Sequence, residues 1–181
     1  MVVINCMADL FGTTYPTPIA AVDHLSPYQS VRLWGESGGS YFQAGVMLAS
    51  LNTWRMKDMS AEFIAIISEN KHRLGCVDQD VLNIAFKDNW TPLPIGYNIE
   101  EGALRSLSPQ WLDDHVKIAH FSGLKKPWNS FNPSPYTSIW DQAYEDAFGV
   151  PFNREQLKPP VSFRTKVKTL IKSFLRHIPS F

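Results

Sequence analysis

Tyr41-Phe-Gln-Ala-Gly-Val-Met-Leu-Ala-Ser-Leu51 is an almost continuous apolar run. A strand wet on one face alternates apolar with polar residues, so a run without alternation predicts a strand covered on both faces. Two helices are expected after it. Ser60 is placed to cap the first, whose apolar stripe is Phe63, Ile64 and Ile67. The second opens at Asp78 and runs to about Lys87, with Val81, Leu82 and Ala85 facing inward. Upstream, residues 1–4 read as the end of a strand and residues 13–18 as a turn-rich connection. Ile19-Ala-Ala-Val22 is a short buried strand and residues 35–40 are a flexible loop. Downstream, residues 93–95 and 116–121 are further short strands. Residues 127–136 form a Pro/Asn/Ser loop rich in aromatics, and residues 140–148 look helical. Strands alternating with helices place the chain in the α/β class.

The bulk properties agree with a globular protein. The 181 residues suffice for one domain of ordinary size, and 44% hydrophobic against 19% charged residues argues against disorder throughout. No apolar run is long enough to span a bilayer. Cys6 and Cys76 make neither a disulfide framework nor a metal-ligand spacing, so a reducing, cytoplasmic setting is expected.

Net charge is zero, but it is unevenly spread. From Lys158 onward there are six basic residues and no acidic one, which leaves the body of the chain at −6. A mildly acidic body argues against general nucleic-acid binding. In residues 161–181, Phe163, Val167, Leu170, Ile171, Phe174, Leu175 and Ile178 fall at helical spacing. Lys166, Lys168, Lys172 and Arg176 lie largely off that stripe. Such a basic amphipathic helix suits an anionic membrane surface; the alternative is a terminal helix docked on its own domain. Two prolines and a polar run make residues 151–160 a linker, so the expected organisation is a body at 1–150, a linker at 151–160 and the helix at 161–181.

Asp78-Gln79-Asp80 stands at the head of a helix, where acidic residues either cap the backbone or point into a cleft at the sheet's carboxyl edge. His120 either is a half-buried strand residue or joins Gly123 and Lys126 in a corner suited to a diphosphate and a metal ion. Imidazole ligates manganese-like ions, glycine lets backbone N–H groups approach a phosphate, and an ammonium neutralises the remaining charge. Each motif alone is weak, but their order is specific. Residues 41–54 resemble a family 8 glycosyltransferase pattern in which an Asn-Ala-Gly strand precedes a Leu-x-x-Trp helix. Asp78-Gln-Asp-Val-Leu-Asn83, Pro94-Ile-Gly-Tyr-Asn98 and His120-Phe-Ser-Gly-Leu-Lys-Lys-Pro-Trp128 resemble three further segments of that family, in the same order.

The resemblance implies a Rossmann-like glycosyltransferase-A fold, a UDP-sugar donor, Mn²⁺ (or Mg²⁺), retention of anomeric configuration, and a glycan or lipid-linked glycan acceptor. It matches His120 to the metal-binding histidine, and Gly123 and Lys126 to contacts with the donor diphosphate. Gln43 and Ala44 match donor-sugar contacts, and Asp78 and Gln79 match residues near the reacting sugar. Gln43 departs from the pattern, which usually has Asn there. In the family a hydrophobic stretch similar to Val2-Val-Ile4 comes directly after an Asp-x-Asp motif, and no such motif stands before Val2 here. The expectation is therefore a C-terminal part of the catalytic domain, its nucleotide-binding part truncated. The tail is similar to the basic C-terminal helix of bacterial lipopolysaccharide-type transferases, which implies peripheral attachment to the inner face of the membrane. A second reading makes the chain a non-catalytic remnant acting as a membrane-associated or glycan-binding module. A metal-dependent hydrolase would need more carboxylate or histidine ligands than the sequence groups together.

Overall fold

The computed structural model of the chain describes residues 1–100, 115–122, 126–129 and 136–154. The chain divides into two compact units, residues 1–122 and 123–181.

In the first unit the described strands are β1 (Val2–Val3), β2 (Ile19–Asp23), β3 (Phe42–Ala49), β4 (Thr91–Leu93), β5 (Ile99–Glu100) and β6 (Ile118–His120). The helices are α1 (Ala8–Phe11), α2 (Pro27–Trp34), α3 (Leu51–Met56), α4 (Met59–Asn70) and α5 (Val77–Ala85), and Ile95–Asn98 forms a 3-10 turn. One sheet has the order β3-β2-β4 and the other β1-β6-β5. β2 lies at the centre of its sheet, antiparallel to β3 and parallel to β4. β6 runs antiparallel to β1 and parallel to β5, pairing Glu100 with His120.

β2 shows why a short apolar strand lacks alternation. Its Ala20 and Val22 side chains pack with Leu10, Leu93 and Tyr97 on one face, while Ile19 and Ala21 pack with Phe42, Met59 and Phe86 on the other. Each large side chain so buried contributes about 1.5–3 kcal/mol. β3 is less covered than its sequence predicts: only Phe42 and Gln43 are buried, and its remaining residues are half-buried. Asn83 fastens α5 to that buried end. Its Oδ1 accepts from Phe42 N–H at 2.8 Å and its Nδ2 donates to Phe42 O at 2.9 Å, the bonds a neighbouring strand would otherwise make.

The helix after β3 corrects one expectation. Asp58, not Ser60, occupies the N-cap position of α4, and Ser60 lies within the helix. Ile64 and Ile67 point to solvent, 66% and 45% exposed. The inward line is Met59, Phe63 and Ile66, because Phe63 packs edge-on against Trp54, which in turn stacks on Phe86. Aromatic packing therefore sets the rotation of the helix, against the aliphatic stripe read from the sequence. α5 keeps its expected face, with Val81 buried and Leu82 and Ala85 against the core.

In the second unit, α6 (Thr137–Phe148) covers the expected helix and ends at Gly149, whose φ of +70° suits a residue without Cβ. Trp140, Tyr144, Phe148 and Phe152 form one aromatic cluster, joined by Trp128. Arg154 donates to Pro127 O at 2.7 Å and pairs with Asp141. The predicted linker beyond residue 154 and the amphipathic segment 161–181 lie outside the described residues.

Candidate sugar-binding site

β2 and β4 run parallel, and the chain leaving their carboxyl ends surrounds a cavity of about 260 Å³. His24, Leu25 and Ser26 follow β2, Ile95 and Asn98 follow β4, and Gln43 opens the antiparallel β3; Glu100 completes the lining. Ligands of α/β proteins collect at this edge, because strand ends deliver side chains and helix starts into one space. Two buried amide atoms there have no hydrogen-bond partner among the described residues: Oε1 of Gln43 and Nδ2 of Asn98. Their residues are 6% and 1% exposed. One is an acceptor and the other a donor, and both residues line the cavity.

Asn98 also sets the state of His120. With Asn98 Oδ1 as acceptor, 2.9 Å away, Nδ1 of His120 donates, and in the neutral imidazole the lone pair then lies on Nε2. That is the tautomer of a metal-ligating histidine, oriented by a carboxamide behind it. Gly45 makes room for the ring: a Cβ on Gly45 would stand 2.3 Å from Cε1 of His120 and 2.6 Å from its Nδ1. Gly96 does the same for the backbone beneath, where a Cβ would lie 2.1 Å from His115 O.

On α5, the side chains at the head of the helix have different tasks. The N-cap position falls on Cys76 with no side-chain cap bond, and the exposed Asp78 carboxylate has no hydrogen-bond partner among the described residues. Asp78 is thus free of the capping duty that its position in the sequence allows. Gln79 reaches β3, its Oε1 accepting from Ala44 N–H at 3.0 Å and its Nε2 donating to Tyr41 Oη at 3.1 Å. Asp80 is fully buried. It accepts from Arg32 at 2.5 Å, from Tyr41 Oη at 2.7 Å and from Cys76 N–H at 2.7 Å. Burial pushes the Asp80 carboxyl up, but Arg32, Cys76 N–H and the Tyr41 hydroxyl together hold it below the usual carboxylate range. Burial and the neighbouring Asp80 push the Tyr41 phenol above its ordinary value.

The structure therefore brings together several residues singled out in the sequence. Gln43 lines the cavity, Ala44 is bonded to Gln79, and His120 lies against the Gly45 backbone. Lys126 belongs to the second unit, where its ammonium lies 6.0 Å from the centroid of the Trp128 ring. Gly123 lies outside the described residues. Among the described residues no group of three His, Cys, Asp or Glu side chains converges as a metal site would. His24, Asn98 and Glu100 were not singled out. Asn98 sat inside a quoted motif without a role, and His24 comes after a buried strand, at the edge where ligands collect.

Residues 22–132 match the model of glycosyl transferase family 8. The chain belongs to that family. It is 30% identical over 139 residues to a probable glycosyl transferase Gly of Streptococcus gordonii, covering 73% of this chain and 20% of that protein. It is 27% identical over 152 residues to the lipopolysaccharide 1,2-glucosyltransferase of Escherichia coli, covering 71% and 45%. The solved galactosyltransferase LgtC, in complex with donor and acceptor sugar analogs, superposes with a TM-score of 0.65 at 21% identity, covering 82% of this chain and 59% of that one. The fold of the family 8 chain is accordingly glycosyltransferase-A. The chain spans less than half the length of the curated relatives it matches.

Proposed function

We propose that this family 8 chain forms the sugar-handling face of a transferase that moves a hexose from a UDP-sugar to a glycan acceptor of the lipopolysaccharide type, with retention of configuration. The observation that carries this reading is a pair of buried amide atoms, Gln43 Oε1 and Asn98 Nδ2, without a partner among the described residues, on two residues that line one cavity. A cavity of about 260 Å³ suits a single sugar ring, and a sugar brings the hydroxyl groups whose chemistry matches an unmatched amide acceptor and an unmatched amide donor. Asp78, exposed and unpartnered among the described residues, is the carboxylate available to steady positive charge developing on the sugar. Gln79 stands beside it, held by the Ala44 backbone. A divalent cation, when bound, supplies Lewis-acid neutralisation of the departing diphosphate. His120 would contribute Nε2 to it, the nitrogen left with a lone pair by the bond to Asn98. Gly123 and Lys126 are proposed to meet the diphosphate.

Gln43→Met keeps length but deletes the acceptor, so the test compares UDP with UDP-hexose binding. Wild type should bind UDP-hexose more tightly than UDP, and the variant should lose about tenfold on UDP-hexose alone, the scale of one hydrogen bond. Equal affinity of the wild type for the two ligands would reject the sugar site. Transfer followed by NMR of the product should show the donor's anomeric configuration retained. Residues 161–181 are proposed to hold the enzyme at an anionic membrane surface, on the cytoplasmic side. Changing Lys166, Lys168 and Lys172 to Glu should abolish sedimentation with anionic vesicles at low salt and spare transfer to a soluble acceptor.

A further inference from the structure

Arg32 grips the bend that precedes the proposed catalytic pair. One of its nitrogens donates to Asp80 at 2.5 Å and another to Arg73 O at 3.1 Å, and a Cβ on Gly75 would lie 2.9 Å from the guanidinium. Just beyond, Val77 has a φ of +23°, and a β-branched residue at positive φ persists only where its surroundings over-determine it. Asp80 is that restraint from the helix side, because its second oxygen accepts Cys76 N–H at 2.7 Å. The same carboxylate accepts the Tyr41 hydroxyl, and that hydroxyl accepts from Gln79 at 3.1 Å. A continuous line thus runs from Arg32 through Asp80 and Tyr41 to Gln79, ending on the Ala44 backbone.

We propose that Arg32, Asp80 and Tyr41 are positioning residues that fix the Gln79 carboxamide beside Ala44 and hold the strained helix start presenting Asp78. The proposal rests on the roles given to Asp78 and Gln79 above. Among the three, Tyr41 transmits the position most directly, since its single oxygen joins Asp80 to Gln79. The direction of that relay is fixed: Asp80 is ionised, so the hydroxyl donates to it and turns a lone pair towards the Gln79 amide. Removing the hydroxyl leaves the ring in place and frees Gln79 at its outer end.

The test uses the full chain and Tyr41→Phe. Hydrogen exchange at the Ala44 amide reads the Gln79 bond, and the Phe42 amide, bonded to Asn83 two residues away, is the internal control. Tyr41→Phe should speed exchange at Ala44 by about tenfold and leave Phe42 within about twofold, as expected of one lost local hydrogen bond. No change at Ala44, or an equal rise at both amides, would overturn the proposal, the second outcome reporting general loosening. In the transfer assay Tyr41→Phe and Gln79→Ala should each lower kcat with little effect on the donor KM, and the double variant should lose no more than the worse single one. Additive losses would equally overturn it. Wild-type chain that transfers no hexose, yet shows the Ala44 response, would sink the functional reading and leave the positioning line standing.

Discussion

At the scale of single residues, the site depends on what is absent at position 45. The His120 ring occupies the space where any larger residue would place its Cβ, and the neighbouring contact, Asn98 Nδ2 at 3.4 Å, leaves no slack beside it. Gly45→Ala should therefore push the imidazole off Asn98 Oδ1 and randomise its tautomer. Transfer should fall by about 10²-fold, the scale of losing one preorganised electrostatic partner, and the NMR resonances of the His120 ring should shift at the same time. His120→Ala should lose as much, with no further loss on combining the two. Asp78→Asn separates charge from capping. Because the side chain caps nothing, the melting temperature should stay within about 2 °C while transfer is abolished; a fully active variant would remove Asp78 from the mechanism.

Helices and strands carry a different set of consequences. Asn83 replaces a strand partner for both polar groups of Phe42, and each such group left buried and unpaired costs about 1–3 kcal/mol. Asn83→Ala should cost about 3 kcal/mol in denaturant unfolding, whereas Ser60→Ala, inside an exposed helix turn, should stay within about 0.5 kcal/mol. The contrast shows what was legible in the sequence. β2 and α5 could be read because their apolar residues are spaced for faces they do bury, whereas α6 was legible as a helix although none of its residues is fully buried. The rotation of α4 could not, since Ile64 and Ile67 are as apolar as Phe63 and only the Trp54 ring decides between them. α2 went unread although it begins Ser-Pro, and the pairing of β2 with β3 depends on register, which a run of equally apolar residues leaves open. Of the candidate site, the order of motifs singled out Gln43, Ala44, Asp78, Gln79 and His120. His24 and Glu100 carry no local pattern and become site residues only when β2, β4 and β5 place them around one cavity.

Taken across the first unit as a whole, two networks anchored on the buried side chains of Asp80 and Tyr97 bound the pH range of stability. Asp80 is held below the ordinary carboxylate value of about 3.9, so its contribution is present above that value and is lost as the pH falls through the folded one. Tyr97 is pushed up to about 12, first by burial and then by its hydrogen bond to Asp9. Its contribution is present below the free phenol value of about 10 and is lost between there and about 12. Thermal denaturation against pH should accordingly show a plateau with separate acid and alkaline limbs. Tyr97→Phe should shrink the alkaline limb and leave the acid limb unchanged, the remainder of the alkaline limb belonging to Tyr41. Arg32→Ala, which leaves Asp80 buried and unpaired, should cost about 3–5 kcal/mol at neutral pH.

The strand carrying His120 is paired on one side with Val2 and Val3, more than a hundred residues earlier in the chain. Contacts so distant in sequence form slowly, because the loop must close before the pairing rewards it. The β2–β3 ladder and the Asn83 bonds span far shorter stretches and are available first. His120 reaches Asn98 over only 22 residues, and β5 pairs with β6 over a similar stretch, so the cavity walls and that hydrogen bond stand before β1 closes; the β1 edge is the last part of the unit to be assembled and the first to fray.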